Sequence, residues 1–359
     1  MNKPSRVITI EKAVIGEDHP TYFIADIAAN HDGELSRAIE LIYMAKEAGA
    51  DAAKFQHFKA DTIVSDRGFR SLRQIPSHQS KWEKSVFEVY QEASISRDWT
   101  PTLKENCAKA GLSFFTSPYA FDLVDHIDPY VPAYKIGSGD ITWIDIIRHI
   151  AGKGKPYILA TGASSMDDVY RAVVAGLDLN PDIALLQCNT NYTGSLENMR
   201  FVQLNVLKSY RSMFPSMILG LSDHTPGPTT VLGAVALGAR IIEKHFTDDN
   251  NRVGPDHAFS MTPDSWKEMV ARTRELEAAL GSGVKKVEEN EQQTTILQRR
   301  AVRTTRKMDV GYVLQREDLC VLRPCPVDAV PPYQLKDLIG RKLRHSKESG
   351  DHITFHDCD

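Results

Sequence analysis

The chain contains no apolar run approaching the ~18 residues of a membrane-crossing helix. Its opening stretch, MNKPSRVITIEK, lacks the apolar core of a secretory signal. No membrane partner is therefore expected, and a cytoplasmic location is the default. Charge of one sign is missing too: a formal net charge of -4 over 359 residues gives no reason to expect nucleic acid or an anionic surface as a partner. Any phosphate must be bound by a local site. The five cysteines, Cys107, Cys188, Cys320, Cys325 and Cys358, form no paired framework. Reduced thiols are expected, and Cys320 and Cys325 are spaced too widely for a zinc knuckle. What is present, 42% hydrophobic and 25% charged residues, suits a globular protein with one large domain and a small one.

Residues 5–15, RVITIEKAVIG, alternate apolar and polar side chains, as a hairpin strand plugging the bottom of a barrel would. A repeating pattern then begins. TYFIADIAAN, ADAAKFQHF, LSFFTSPY, VPAYKIGSGD, KPYILATGAS, DIALLQCNTNY, ILGLS and RIIEKHF read as eight strands. Helical spacing falls between and after them, over 34–50, 97–110, 119–127, 142–151, 165–176, 196–211, the TTVLGAVALG stretch and Pro263–Leu280. Eight strand-helix units within about 260 residues predict a (β/α)8 TIM barrel, whose sites lie at the carboxyl ends of the strands. A doubly wound open sheet is the rival, but its first turn is usually Gly-rich, and here that turn is AANHDG. The expected boundaries are a barrel domain over 1–282, a polar linker over 283–300 and a small, mostly β domain over 301–359. About 60 residues is small for an independent core, so the last segment is expected to pack on its own barrel or a partner's.

Within Ile218–Phe246 two successive strands each end in a histidine, and a parallel strand-helix-strand unit places both ends on one edge. His224 and His245 should therefore lie side by side. With Asp223, Glu243 and Asp256 near, they would suit a divalent metal with open positions. The structural alternative is a loop hydrogen bond for His224 and a buried polar role for His245. The other strand ends carry Asp26, Asn30 and His31; Lys54, Gln56 and His57; Thr116 and Ser117; Lys135, Ser138 and Asp140; Thr161 and Ser164; Gln187, Asn189, Asn191 and Tyr192; and Ser222. A lysine inside an apolar strand must be paired or functional. Lys54 and Lys135, flanked by hydroxyls, would form a pocket for phosphate or carboxylate; the alternatives are a Schiff base or salt bridges to Asp26 or Glu243.

Here the sequence resembles the sialic acid synthase (N-acetylneuraminate synthase) family. The stretches that carry the likeness are ADIAANHDG (25–33), AGADAAKFQHF (48–58), FFTSPY (114–119), YKIGSGD (134–140), ATG (160–162), GLSDHT (220–225), EKHFT (243–247) and GPDHAFS (254–260), with LRP (322–324) matching the family's small antifreeze-like (SAF) domain. The likeness implies condensation of phosphoenolpyruvate with an amino sugar. His224 and His245 would hold a divalent metal, Mn2+ foremost with Mg2+ or Co2+ as alternatives, to position and polarise the open-chain aldehyde. Lys54, Thr116, Lys135, Ser138 and Ser222 would grip phosphoenolpyruvate. Gln56 and one of Asn189 and Asn191 would serve the substrates, and Tyr192 and Asp256 would contact the sugar. Arg323 would reach over a partner's barrel in a domain-swapped homodimer. In the implied mechanism C3 attacks the aldehyde carbon, water adds at C2, and phosphate leaves by carbon-oxygen cleavage.

Departures from the family pattern concern the substrate. Asp26 stands where glutamate is usual, facing the sugar or the attacked water, and Asp140 also replaces a glutamate. Ala160 replaces a serine that helps hold phosphoenolpyruvate. CNTNYT replaces a CTNxYP-like strand end. The phosphoenolpyruvate half is mostly intact and the sugar half altered, so the expected acceptor is a modified hexosamine of the legionaminic or pseudaminic precursor type. Two other functions compete: a barrel aldolase using a lysine imine, and a non-catalytic sugar-binding relative.

Overall fold

Short apolar runs with no polar alternation belong to strands covered on both faces, and in the computed structural model of the chain they form one parallel sheet. The structure describes residues 4–72, 79 and 82–359. A hairpin comes first, β1 Val7–Ile10 and β2 Ala13–Gly16. The barrel strands follow: β3 Tyr22–Asp26, β4 Ala52–His57, β5 Ser113–Pro118, β6 Tyr134–Ile136, β7 Tyr157–Ala160, β8 Ile183–Cys188, β9 Ile218–Asp223 and β10 Ala239–His245. Their order, β5-β4-β3-β10-β9-β8-β7-β6, sets the first barrel strand beside the last. This is the expected (β/α)8 barrel. Its helices are α1 Leu35–Glu47, α2 Trp99–Ala110, α3 Phe121–Ile127, α4 Ile144–Ala151, α5 Met166–Leu177, α6 Val206–Met213, α7 Thr229–Ala236 and α8 Pro263–Leu280.

Strand alternation sorts the apolar residues into two layers. Tyr22, Ile24, Ala52, Phe115, Ala133, Ile158, Ala184, Leu186, Ile218 and Ile241 fill the barrel, and the hairpin residues Ile8, Ile10 and Ile15 join the same cluster. Val7 and Val14, on the hairpin's other face, are exposed. The hairpin thus plugs the barrel. Phe23, Phe55, Phe114, Leu159, Leu185, Leu219 and Ile242 point the other way, into the layer beneath the helices.

The helix expected over 196–211 is broken. Gln203 adopts a left-handed φ of 52°, which a non-glycine residue cannot hold inside a right-handed helix. A 3-10 segment, Leu196–Phe201, precedes it and α6 follows. The Val202 carbonyl is instead taken by Gln187 Nε2 at 2.9 Å. The stretch after β4 carries three further helices, Ala60–Ile63, Asp66–Ser71 and Val86–Ala93.

Chain contacts divide the protein between Gly281 and Ser282. The second unit pairs β11 Ala301–Thr304 with β12 Leu319–Leu322 antiparallel and has its own core, including Val302, Leu314, Leu338, Leu343 and Ile353. The segment expected as a linker is not bare: Gln292–Gln298 is helical, and the Ile296 carbonyl accepts from Cys325 N at 2.8 Å. All five cysteines are free thiols. No helix among the described residues is long and apolar enough to cross a membrane.

Candidate active site

The period of two that fills the barrel also decides which polar side chains reach its mouth. On β3, Tyr22 and Ile24 point inward, so Asp26 does; on β4, Ala52 puts Lys54 and Gln56 inside. β6 presents Lys135, β8 Cys188, β9 Ser222 followed by His224, and β10 Glu243 and His245. These residues line one cavity of about 370 Å³, together with Ser117, Tyr119, Ser138, Asp140, Ala160, Thr190, Tyr192 and Asp256. Gly220 allows the two histidine-bearing strands to approach, since a Cβ there would stand 2.4 Å from the Ile241 carbonyl.

The charged centre is a chain of buried pairs. Lys54 Nζ lies 2.7 Å from Asp26 Oδ2, which also receives Gln56 Nε2 at 3.3 Å, while Asp26 Oδ1 accepts from Ala28 N at 3.1 Å. Burial alone would lower the Lys54 ammonium, but Asp26 and Glu243 outweigh it and raise the group above its ordinary value. Lys135 Nζ lies 3.4 Å from Glu243 Oε1, and Ser222 Oγ donates to the same oxygen at 3.3 Å. Two carboxylates thus hold two lysines in place.

His224 Nδ1 faces the Asn189 carbonyl at 3.0 Å. A carbonyl only accepts, so Nδ1 carries the proton and Nε2 keeps its lone pair. His245 lies with its ring centroid 5.3 Å from that of His224 and its Nε2 3.6 Å from Asp26 Oδ2. Burial lowers the pKa of both imidazoles, further for His245 beside His224, so both rings are neutral. Three buried atoms of the lining make no hydrogen bond to the protein: Ser117 Oγ, Glu243 Oε2 and His245 Nδ1, the last 3.9 Å from Asp256 Oδ2. Unpaired buried polar atoms are costly, and here they converge on a cavity that a polar ligand would complete.

The pair of neutral imidazoles with an orphaned ring nitrogen fits a divalent metal. No cluster of three or more His, Cys, Asp or Glu side chains spaced for a metal occurs among the described residues. The histidines would therefore supply two ligands and leave the others to substrate and water. Asp223, expected close by, is turned outward, where it pairs with Lys244 beside Thr225 and Thr230.

Other expected residues part company in the same way. Thr116 does not face the cavity: it bonds His57 Nδ1 at 2.7 Å in the outer layer, because alternation from inward Phe115 sends Thr116 out and Ser117 in. His57 is also outward, held by Thr100 as well. Neither asparagine side chain lines the cavity. Asn189 Nδ2 donates to the Phe201 carbonyl and Asn191 Oδ1 accepts from Thr193 and Asn198; Thr190 between them does line it. Asn189 contributes through its backbone, as the anchor of His224. Tyr192 stands edge-on to His224 at 4.5 Å. Asp256 accepts from Ala29 N at 3.1 Å, and burial, with Asp26 adding, raises its carboxyl to about 6. Arg323 is an exposed residue of the second unit.

The carboxyl ends of the strands, where these lysines and histidines gather, are where enzymes of this fold build their sites. Residues 41–285 match the NeuB family. The chain is 33% identical to the N,N'-diacetyllegionaminic acid synthase of Legionella pneumophila, covering 93% of this chain and 94% of that one. It is 32% identical to human N-acetylneuraminate-9-phosphate synthase, covering 94% and 93%. Among solved structures it is similar to the sialic acid synthetase of Leptospira borgpetersenii, crystallised with citrate, at 27% identity and a TM-score of 0.71 over 82% of this chain and 96% of that one. The protein belongs to the NeuB family, that of the nonulosonic acid synthases.

Proposed function

We propose that the protein condenses phosphoenolpyruvate with an N-acylated amino sugar to give a 3-deoxy-2-keto nonulosonic acid and phosphate. The reading is carried by the Ser117, Glu243 and His245 atoms that lack a hydrogen bond, gathered around Lys54 and Lys135. Lys54, Lys135, Ser117, Ser138 and Ser222 bind the phosphate and carboxylate, with Ser117 taking the part expected of Thr116. Phosphoenolpyruvate's C3 bonds to the aldehyde carbon, a water oxygen bonds to C2, and the C2–O bond to phosphate breaks, leaving a keto acid. Asp26, fixed by Lys54 and Ala28, faces the sugar or the water. Gln56, Tyr192 and Asp256 orient the sugar. His224 and His245 would hold a divalent metal, Mn2+ foremost, which when bound supplies Lewis-acid polarisation of the aldehyde.

The relative from Legionella and the short Asp26 favour an acceptor bulkier than N-acetylmannosamine, of the legionaminic or pseudaminic precursor type. Phosphate release measured over a panel of amino sugars tests this, and N-acetylmannosamine as the best acceptor would reject it. Imine chemistry is disfavoured by the Lys54 ammonium, which Asp26 keeps charged; borohydride with substrate should trap no adduct. We further infer a homodimer in which Arg323 serves the other subunit's cavity, supported by its exposure. Sedimentation at assay concentration should show two chains, and a monomer with full activity would exclude that role.

A further inference from the structure

The cavity has two unlike parts. One is charged, around Lys54, Lys135 and Glu243. The other is largely apolar and aromatic, formed by Phe58, Ile63, Trp82, Val89, Tyr90 and Ala93 beside Gln79, all from the insertion between β4 and α2. Val89, Tyr90 and Ala93 share one face of the helix Val86–Ala93, because residues spaced three and four apart stack on a helix. A reciprocal capping box of Ser85 and Glu88 starts this helix, Lys84 ties its last turn through Glu92 at 2.6 Å, and the Tyr90 ring packs on Phe58 at 5.3 Å between centroids. None of its residues is fully buried. Among the described residues its Val89, Tyr90 and Ala93 face lines the cavity and is not spent on the barrel core.

Tyr90 lines the same cavity as Tyr192 and Asp256, the residues assigned to the sugar. An apolar wall gains free energy only from a ligand that brings apolar surface to it. An N-acetylhexosamine offers one acetyl methyl and otherwise hydroxyls.

We propose that the helix Val86–Ala93 selects the acceptor, its Val89, Tyr90 and Ala93 face packing against the methyl groups of a deoxy amino sugar with more than one N-acyl substituent. The inference rests on the condensation reading above and assigns the part of the site that distinguishes one amino sugar from another. The two variants Val89→Asn and Ala93→Ser test it in the full chain with Mn2+ and phosphoenolpyruvate. Each is assayed for kcat/KM with a deoxy hexose carrying two acetamido groups and with N-acetylmannosamine. A lost apolar contact in a binding pocket is worth about tenfold or more in discrimination. Val89→Asn should lower kcat/KM for the doubly acylated sugar by about tenfold, change that for N-acetylmannosamine by less than about threefold, and leave the phosphoenolpyruvate KM within about twofold. Ala93→Ser, too small a change to unfold the helix, should shift the same ratio in the same direction. An unchanged ratio in both variants, with an active wild type, overturns the inference alone. A wild type that releases phosphate with no amino sugar overturns the condensation reading and the inference with it.

Discussion

Lys54→Met separates the structural and ligand-binding roles of the charged centre. Lys54 is 2% exposed and its ammonium stands 2.7 Å from Asp26, itself 2% exposed. Removing one partner of a buried pair costs about 3–5 kcal/mol because the other charge is stranded. Asp26 keeps its bonds from Ala28 N and Gln56 Nε2, which places the expected loss near the lower end, about 3 kcal/mol. Phosphoenolpyruvate would lose a charge-assisted hydrogen bond worth about 1.5–3 kcal/mol, or roughly 10- to 150-fold in Kd. Urea denaturation gives the first quantity and calorimetric titration of phosphoenolpyruvate the second. The double variant Asp26→Asn/Lys54→Met leaves no stranded charge, so stability should return to within about 1 kcal/mol of wild type. Its phosphoenolpyruvate Kd should stay raised, since the missing ammonium is not restored. A wild-type Kd in Lys54→Met, or a Kd that recovers along with stability, would refute the assignment of Lys54 to the anion pocket.

Three further outcomes follow from the geometry. His224→Ala and His245→Ala should each lose Mn2+ binding in calorimetric titration, and stoichiometric binding by either would contradict the two-histidine ligand set. Lys244→Met should cost about 3–5 kcal/mol through stranded Asp223 yet leave the phosphoenolpyruvate Kd unchanged; a changed Kd without loss of stability would contradict the outward placement of that pair. Burial raises the Asp140 carboxyl to about 6, with Lys135 opposing the shift. Between about pH 4 and 6 the folded chain then holds a proton that the unfolded chain releases, so Asp140 makes stability fall as pH rises through that window. Asp140→Asn should flatten this slope when urea midpoints are compared at about pH 4 and pH 7, and an unchanged slope would rule out the buried carboxyl as its source.

The barrel was legible because each strand is an apolar run bounded by turn residues, and the two histidines because each closes such a run. What alternation decides was harder to read. In FFTSP the inward and outward positions are equally apolar or equally small, so nothing local distinguishes Thr116 from Ser117; only pairing with β4 fixes the phase. In EKH the outward Lys244 resembles the inward Lys54 and Lys135 until Asp223 is seen beneath it. Asn189 acts through its carbonyl, and a carbonyl has no signature in sequence. The helix Val86–Ala93 has no core-facing stripe to announce it in sequence, because its apolar face belongs to a cavity and its neighbours are polar.

Condensation of phosphoenolpyruvate with carbon-oxygen cleavage can be read from isotope placement. Phosphoenolpyruvate labelled with heavy oxygen between C2 and phosphorus is turned over with a doubly acylated amino sugar, and the phosphate is analysed by mass spectrometry. With carbon-oxygen cleavage the label should leave entirely in the phosphate. Unlabelled phosphate would mean that the phosphorus-oxygen bond breaks instead, and would contradict it.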